Sequence, residues 1–161
     1  MKRKLFTFFL LFTLLVSLGL TACHKQYFYA YYQKMDKEGW RTKKELFYSF
    51  NVEDTTALYD IYIDIRYTEK YPYTNIVLGI VSETNNRTYL TETKELRFHV
   101  PESGISKGGY HFFVKSEPLY LNRSFSASGI QTISFQHLMT DSLLLGIEEI
   151  GVRVMKSDMT P

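Results

Sequence analysis

At 161 residues, with 45% hydrophobic and 22% charged side chains, the chain can bury one sizeable core and is short for several domains. Its 19 Lys and Arg against 17 Asp and Glu give a net charge of +2, but Lys2, Arg3 and Lys4 stand in an N-terminal leader; without them 16 basic residues face 17 acidic ones, a balance of −1. No Lys/Arg-rich stripe remains to track phosphates, so the charge pattern excludes nucleic acid as a partner.

The leader comes first in the chain. Lys2-Arg3-Lys4, an uncharged apolar run from Leu5 to Leu20 and small residues behind it have the layout of a secretory signal peptide. Leu20-Thr21-Ala22-Cys23 then resembles a bacterial lipobox. That resemblance implies a diacylglycerol on the Cys23 thiol, cleavage before Cys23 and acylation of the new amine. Each buried methylene adds about 0.8 kcal/mol of membrane affinity, so two or more chains anchor stably. The rival, a transmembrane helix, has an apolar run at the lower edge of the required length. Cys23 is the only cysteine. Once alkylated, it leaves no thiol for a disulfide, a metal or a nucleophile, and the domain must be held by its core. The expected organisation is a signal peptide over 1–22, a lipidated N-terminus and tether over 23–44 with room for a first strand, a β-sandwich over 45–156 and a tail over 157–161.

Tyr27 to Tyr32 reads as that first strand, Gln33 to Gly39 as a polar loop, and Trp40, the sole tryptophan, opens the next segment. From there period-2 alternation dominates. Leu46, Tyr48, Phe50 and Val52 share one face of a strand that a Glu53-Asp54-Thr55-Thr56 turn closes. Tyr59, Ile61, Ile63 and Ile65 form the apolar side of the next, with Asp60, Tyr62, Asp64 and Arg66 on its wet side. Glu69 to Asn75 connects, Pro72 excluding a central strand there. Ile76 to Val81 is continuously apolar, which suits a strand covered on both faces. Asn85-Asn86 is a turn, Arg87 to Leu90 a short strand, and Leu96 to Val100 another, stopped by Pro101. Glu102 to Gly109 is a Gly/Ser loop, followed by a strand around Tyr110 to Lys115 and a mixed stretch, Ser116 to Gly129, with a small strand near Leu119 to Leu121. Gln131 to His137 alternates, Met139 to Leu145 suggests a helical turn, and Ile150, Val152 and Val154 belong to a closing strand. Six to eight short strands without a sustained helical period predict an all-β, antiparallel sandwich or jelly-roll-like single domain.

Few residues offer chemistry. Gly104-Ile105-Ser106-Lys107-Gly108 matches a nucleophile-elbow string, but no helix follows it and the last histidine, His137, precedes Asp141 and Asp158, against the required order. His24, His99, His111 and His137 have no metal-ligand spacing, so neither metal nor cofactor is expected. Asp60, Asp64 and Arg66 share a strand face, where alternating charges ordinarily stay solvated. Asp54-Thr55-Thr56 and Asp141-Ser142-Leu143 resemble the Bacteroidota O-glycosylation signal, which marks Thr55 and Ser142. With 13 Tyr, the aromatic excess fits strand propensity and also a contact face; Trp40, Tyr71 and Tyr73 are its candidates.

The chain resembles the gliding-motility lipoprotein H (GldH) family of Bacteroidota. The likeness rests on the lipobox with aromatics soon after Cys23, Trp40 ahead of a Phe-rich strand, and the block from Tyr59-Asp60-Ile61-Tyr62-Ile63-Asp64-Ile65-Arg66-Tyr67 through Tyr71-Pro72-Tyr73-Thr74-Asn75-Ile76. It also rests on Phe135-Gln136-His137-Leu138-Met139, Leu144-Leu145-Gly146-Ile147 and Ile150-Gly151-Val152-Arg153-Val154. One departure is the Gly104 to Gly109 loop, which lacks the tryptophan the family usually carries there. The resemblance implies an envelope lipoprotein without catalytic residues, partnered by motility lipoproteins and the type IX secretion apparatus. Surface-exported lipoproteins of that phylum tend to carry acids just after the lipidated cysteine; His24-Lys25-Gln26-Tyr27 has none, so the domain is expected on the outer membrane facing the periplasm. The runner-up expectation is a jelly-roll glycan-binding lipoprotein using exposed Trp or Tyr.

Overall fold

A computed structural model describes residues 27–85, 87–98 and 112–158. Among the described residues ten strands run in chain order: β1 (Tyr29–Lys34), β2 (Trp40–Arg41), β3 (Leu46–Val52), β4 (Tyr59–Thr68), β5 (Asn75–Thr84), β6 (Arg87–Arg97), β7 (Phe112–Arg123), β8 (Gly129–His137), β9 (Leu143–Leu144) and β10 (Ile147–Lys156). They form two four-stranded antiparallel sheets, β1-β10-β4-β7 and β3-β8-β5-β6, with the short β2-β9 pair beside them. The sheets pack face to face. The all-β sandwich is as the alternation predicted.

The inner faces follow from that alternation. Leu46, Tyr48, Phe50 and Val52 of β3 and Tyr59, Ile61, Ile63 and Ile65 of β4 are all buried in one cluster with Ile76, Leu78, Ile80, Ile133, Phe135, Ile150, Val152 and Val154. Each such side chain contributes about 1.5–3 kcal/mol by leaving water. The Tyr48 hydroxyl donates to the Ile150 carbonyl across the sandwich at 2.7 Å, so its one polar atom is satisfied inside the core. Both open sides of the sandwich are laced. Gln33 Nε2 of β1 donates to Phe47 O of β3 at 2.8 Å, while Lys94 of β6 reaches Pro118 O and the Tyr120 hydroxyl of β7 bonds Glu92.

Several sequence expectations are corrected. The sandwich starts well before residue 45: β1 pairs with β10 from Tyr29 to Lys34, and Trp40 is completely buried, so 27–44 belong to the folded body. The strand expected at Arg87–Leu90 runs on to Arg97 and so takes in the start of the one expected at Leu96–Val100, because β6 pairs with β5 along Arg97 to Arg87 with only a local irregularity; His99 and Val100 lie outside the described residues. Likewise Phe112 to Arg123 is one strand; Pro118 is tolerated because β7 is an edge and pairs on one side only. The outer side of β5 is half-exposed rather than covered, with Val77 and Val81 at intermediate burial. Met139 to Leu145 holds no helical turn: Leu143 and Leu144 pair with Arg41 and Trp40, and Gly39, at φ 114°, lies where a Cβ would overlap the Leu144 carbonyl. Of the expected Asn85-Asn86 turn, Asn85 lies at φ 49° beside the Thr84–Arg87 pair, and Asn86 is outside the described residues.

Candidate partner-binding face

The outer face of the β1-β10-β4-β7 sheet is where the structure departs most from a solvated surface. Strand register lays three rows across it. One runs Ala30, Arg153, Tyr62, Pro118; the next Tyr32, Gly151, Asp64, Ser116; the third Lys34, Glu149, Arg66, Val114. Gly151 leaves a gap in the middle row, and the Tyr32 ring lies over it, where any Cβ would overlap the ring. Thus a glycine on β10 brings an edge-strand tyrosine to the centre of the sheet.

The Tyr32 hydroxyl there donates to Asp64 Oδ2 at 3.0 Å. Arg153, one row away, donates to both carboxylate oxygens of Asp64: Nη2 to Oδ1 at 2.8 Å, and Nε to Oδ2. Nη2 also donates to Ser116 Oγ at 2.8 Å and Nη1 to the Tyr27 hydroxyl at 2.7 Å, while the guanidinium lies 5.0 Å from the Tyr27 ring centroid and 5.4 Å from that of Tyr62. The planar fork of arginine suits this bidentate, ring-flanked seat; lysine would not fill it. The pair is largely withdrawn from water, with side-chain exposures of 19% for Arg153 and 9% for Asp64. Asp64 is thus no solvated strand charge, as its alternation suggested.

Burial pushes the Asp64 carboxyl up, but hydrogen bonds from Arg153, Ser116 and Tyr32 outweigh it and hold the group below its ordinary range. Burial and the Asp64 carboxylate push the Tyr32 phenol up to about 12, so it remains a donor at neutral pH. The hydrogen bond from Arg153 to Asp64 is the main reason the guanidinium holds its proton even more firmly than usual. The third row adds Arg66, 3.2 Å from Glu149 Oε2 and 4.8 Å from the Phe112 ring centroid. Phe112 and Val114 stand more than half exposed beside this charge network, and Tyr27 and Tyr32 remain exposed at its opposite margin. The face combines exposed aromatic and aliphatic surface with a fixed, nearly dry arginine pair.

The residues singled out from the sequence lie elsewhere. Trp40 is a core residue: its indole N–H donates to Lys44 O at 2.8 Å and its ring meets His137 edge-on at 5.1 Å, so it cannot serve as a stacking platform. Tyr71 is buried, donating to Asn75 O at 2.8 Å and packed against Tyr67, Tyr73 and Phe98. Tyr73 is half-buried and donates to Asp141 Oδ2 at 2.6 Å. Thr55 and Ser142 sit exposed in loops. His137 is buried in the core, Nε2 3.1 Å from Trp40 O and Nδ1 without a partner. Cys23, His24, His99, the Gly104–Gly108 string and His111 lie outside the described residues. Among the described residues, no three His, Cys, Asp or Glu side chains are grouped to hold a metal. Sequence reasoning missed Arg153, Tyr32, Gly151 and Ser116. The one usable signal was Arg153 opposite the apolar side of Ile150, Val152 and Val154, but its partner depends on a β4-β10 register that no local pattern encodes.

The family model described as GldH lipoprotein matches residues 27–154. The chain is 22% identical over 152 residues to "Gliding motility lipoprotein GldH" of Flavobacterium johnsoniae, covering 90% of this chain and 94% of that protein. It is 26% identical over 170 aligned positions to "Gliding motility lipoprotein GldH homolog" of Christiangramia forsetii, covering 98% and 99%. Among solved structures it is similar to chicken MD-1 complexed with lipid IVa (15% identity, 85% of this chain and 95% of that chain, TM-score 0.38) and to a family 35 carbohydrate binding module from Clostridium thermocellum (16%, 77% and 87%, TM-score 0.36).

Proposed function

The chain belongs to the GldH lipoprotein family, and on that premise we propose that it is a lipid-anchored, non-enzymatic interaction module of the cell envelope, serving the gliding-motility and type IX secretion-associated machinery. Cys23 carries the lipid, and the domain faces the periplasm from the outer membrane. Both named relatives are gliding motility lipoproteins, which supports the envelope setting and the motility role. The observation that carries the interaction reading is the outer face of the β1-β10-β4-β7 sheet. Tyr and Arg are enriched among the few residues that dominate protein contacts, and here Tyr27, Tyr32 and Arg153 are already hydrogen-bonded beside exposed Phe112 and Val114. Such a surface loses little conformational freedom when a partner covers it.

Glycan binding through Trp40 has no support, because the indole is sealed in the core. The decisive experiment is crosslinking in the native envelope, comparing the wild type with Phe112→Glu/Val114→Glu. Both side chains are more than half exposed, so the change should leave melting nearly unmoved while abolishing the captured envelope proteins. Unchanged capture by a folded double variant would remove this face from the function. Mass analysis of the mature chain checks the acyl chains on Cys23 and any glycan on Thr55 or Ser142, and protease shaving of intact cells, expected to spare the domain, checks its orientation.

A further inference from the structure

The strands of the two four-stranded sheets do not share the core equally. Among the described residues, β1 alone of these strands places no side chain in the buried cluster. Ala30, Tyr31, Tyr32 and Lys34 are exposed, while Tyr29 and Gln33 are half-buried. The strand lies at the edge of its sheet and pairs with β10 only. Toward the other sheet it rests on two ring contacts, Tyr29 with Phe50 and Tyr31 with Tyr48, at centroid distances of 5.4 and 6.2 Å, and on the bond from Gln33 to Phe47 O. On the outer face it is fastened by the Tyr27 hydroxyl, which accepts from Arg153, and by the Tyr32 hydroxyl, which donates to Asp64. A strand with so few buried apolar contacts opens at lower cost than the strands behind it. Opening stops at the next residue but a few: Met35 packs on the core with its N–H donated to Glu148 O, and Trp40 is sealed inside.

This weakly buried strand is also the one that follows the anchor. With β1 docked, the first backbone bond into the sheet among the described residues is Phe28 N–H to Val154 O, five residues after Cys23; with β1 open it is Met35, twelve residues after Cys23. The chain between Cys23 and the folded body can then span at most about 18 Å in the first state and about 43 Å in the second. We propose that β1 is a latch joining the membrane anchor to the partner face. Closed, it seats Tyr27 and Tyr32 beside Arg153 and Asp64 and completes the face. Open, it withdraws both tyrosines and lets the domain stand off from the bilayer. A partner that contacts these tyrosines binds the closed form alone, so partner and latch stabilise one another by the same factor. This inference rests on the anchor at Cys23 and on the partner-face reading.

Amide hydrogen exchange on the processed chain with Cys23→Ser tests the latch without lipid or partner. The β1 amides bonded to β10 should exchange about a hundred-fold faster than those of β4, which is enclosed between β10 and β7. Tyr29→Ser/Tyr31→Ser removes both ring contacts on the side of β1 away from the partner face. It should speed the β1 amides about a further tenfold and leave β4 protected. In cells, with Cys23 native, the same double variant should lose the envelope proteins that the wild type captures on crosslinking. Adding Lys34→Cys/Glu149→Cys, a facing pair across β1 and β10, should restore capture when oxidised and not when reduced. Exchange of the β1 amides at the β4 rate would overturn the latch. Full capture by Tyr29→Ser/Tyr31→Ser with its β1 amides unprotected, or equal capture by the oxidised and reduced forms, would overturn its link to the partner face. Failure of the face itself shows separately, as unchanged capture by Phe112→Glu/Val114→Glu, and failure of the anchor as absence of acyl mass on Cys23; the exchange measurement touches neither.

Discussion

The outer faces of the two sheets are built on different principles. Across the β1-β10-β4-β7 sheet, charged and aromatic side chains lock into one another around Asp64 and Arg153. Across the β3-β8-β5-β6 sheet the corresponding row runs Phe47, Ser134, Val81, Thr91, and the neighbouring contact is a hydroxyl pair, Ser49 Oγ and Thr132 Oγ1 at 2.9 Å. The first face is tied together by side-chain hydrogen bonds; the second sets hydroxyls beside exposed Phe47 and Ile130. An ion pair removed from water is a poor device for stability. Among the described residues it is found on the first face, which is why the proposed contact with a partner rests there.

The sharpest way to break the contrast is Asp64→Ala. It leaves Arg153 nearly dry and unpaired, and unfolding in urea should show a loss of about 3 kcal/mol. Asp64→Leu/Arg153→Met should recover most of that while capture of partners stays lost, which separates a binding role from a purely structural one. Gly151→Ala comes next. Its Cβ must displace the Tyr32 ring, costing about 1–2 kcal/mol by the same measurement and breaking the bond to Asp64. Acidification divides the two sheets. Burial, opposed only by the bond to Trp40 O, lowers the His137 pKa, so its contribution is complete above about pH 6.5 and falls as pH drops below that. Protonation would place a charged N–H at Nδ1, which has no acceptor. The Asp64 contribution is complete above its unfolded pKa near 3.9 and disappears only as pH falls through its lower folded value. Stability measured against pH should therefore decline in two windows, the upper one absent in His137→Gln. The lower one should be reduced in Asp64→Asn, where the Lys156-bonded Asp54 carboxylate still contributes. The smallest effect is expected from Ser49→Ala on the wet face, about 0.5 kcal/mol or less in thermal melts.

What the sequence showed follows from which forces are local. Alternation is set by the pleat, so the inward sets of β3 and β4 were legible residue by residue. Strand length was not, where polar runs such as Thr91 to Glu95 or Lys115 to Glu117 sit on edge strands whose pairing, rather than apolar content, keeps them extended. Trp40 illustrates a different loss: a lone tryptophan in a polar stretch looks exposed until the β2-β9 pairing folds Leu144 beside it. The Asp64–Arg153 pair needs β4 and β10 to be neighbours across 89 residues, and nothing in either strand states that.

The pairing of β1 with β10 has a mechanical consequence. If the lipid on Cys23 is held in a bilayer while a moving partner grips the far end of the sheet, tension enters along the axis of β1. The backbone bonds from Tyr29 to Lys34 are then loaded side by side, in shear, instead of opening one after another like a zip. Six residues at the head of the chain would serve as the strap by which the whole domain resists being torn from its anchor.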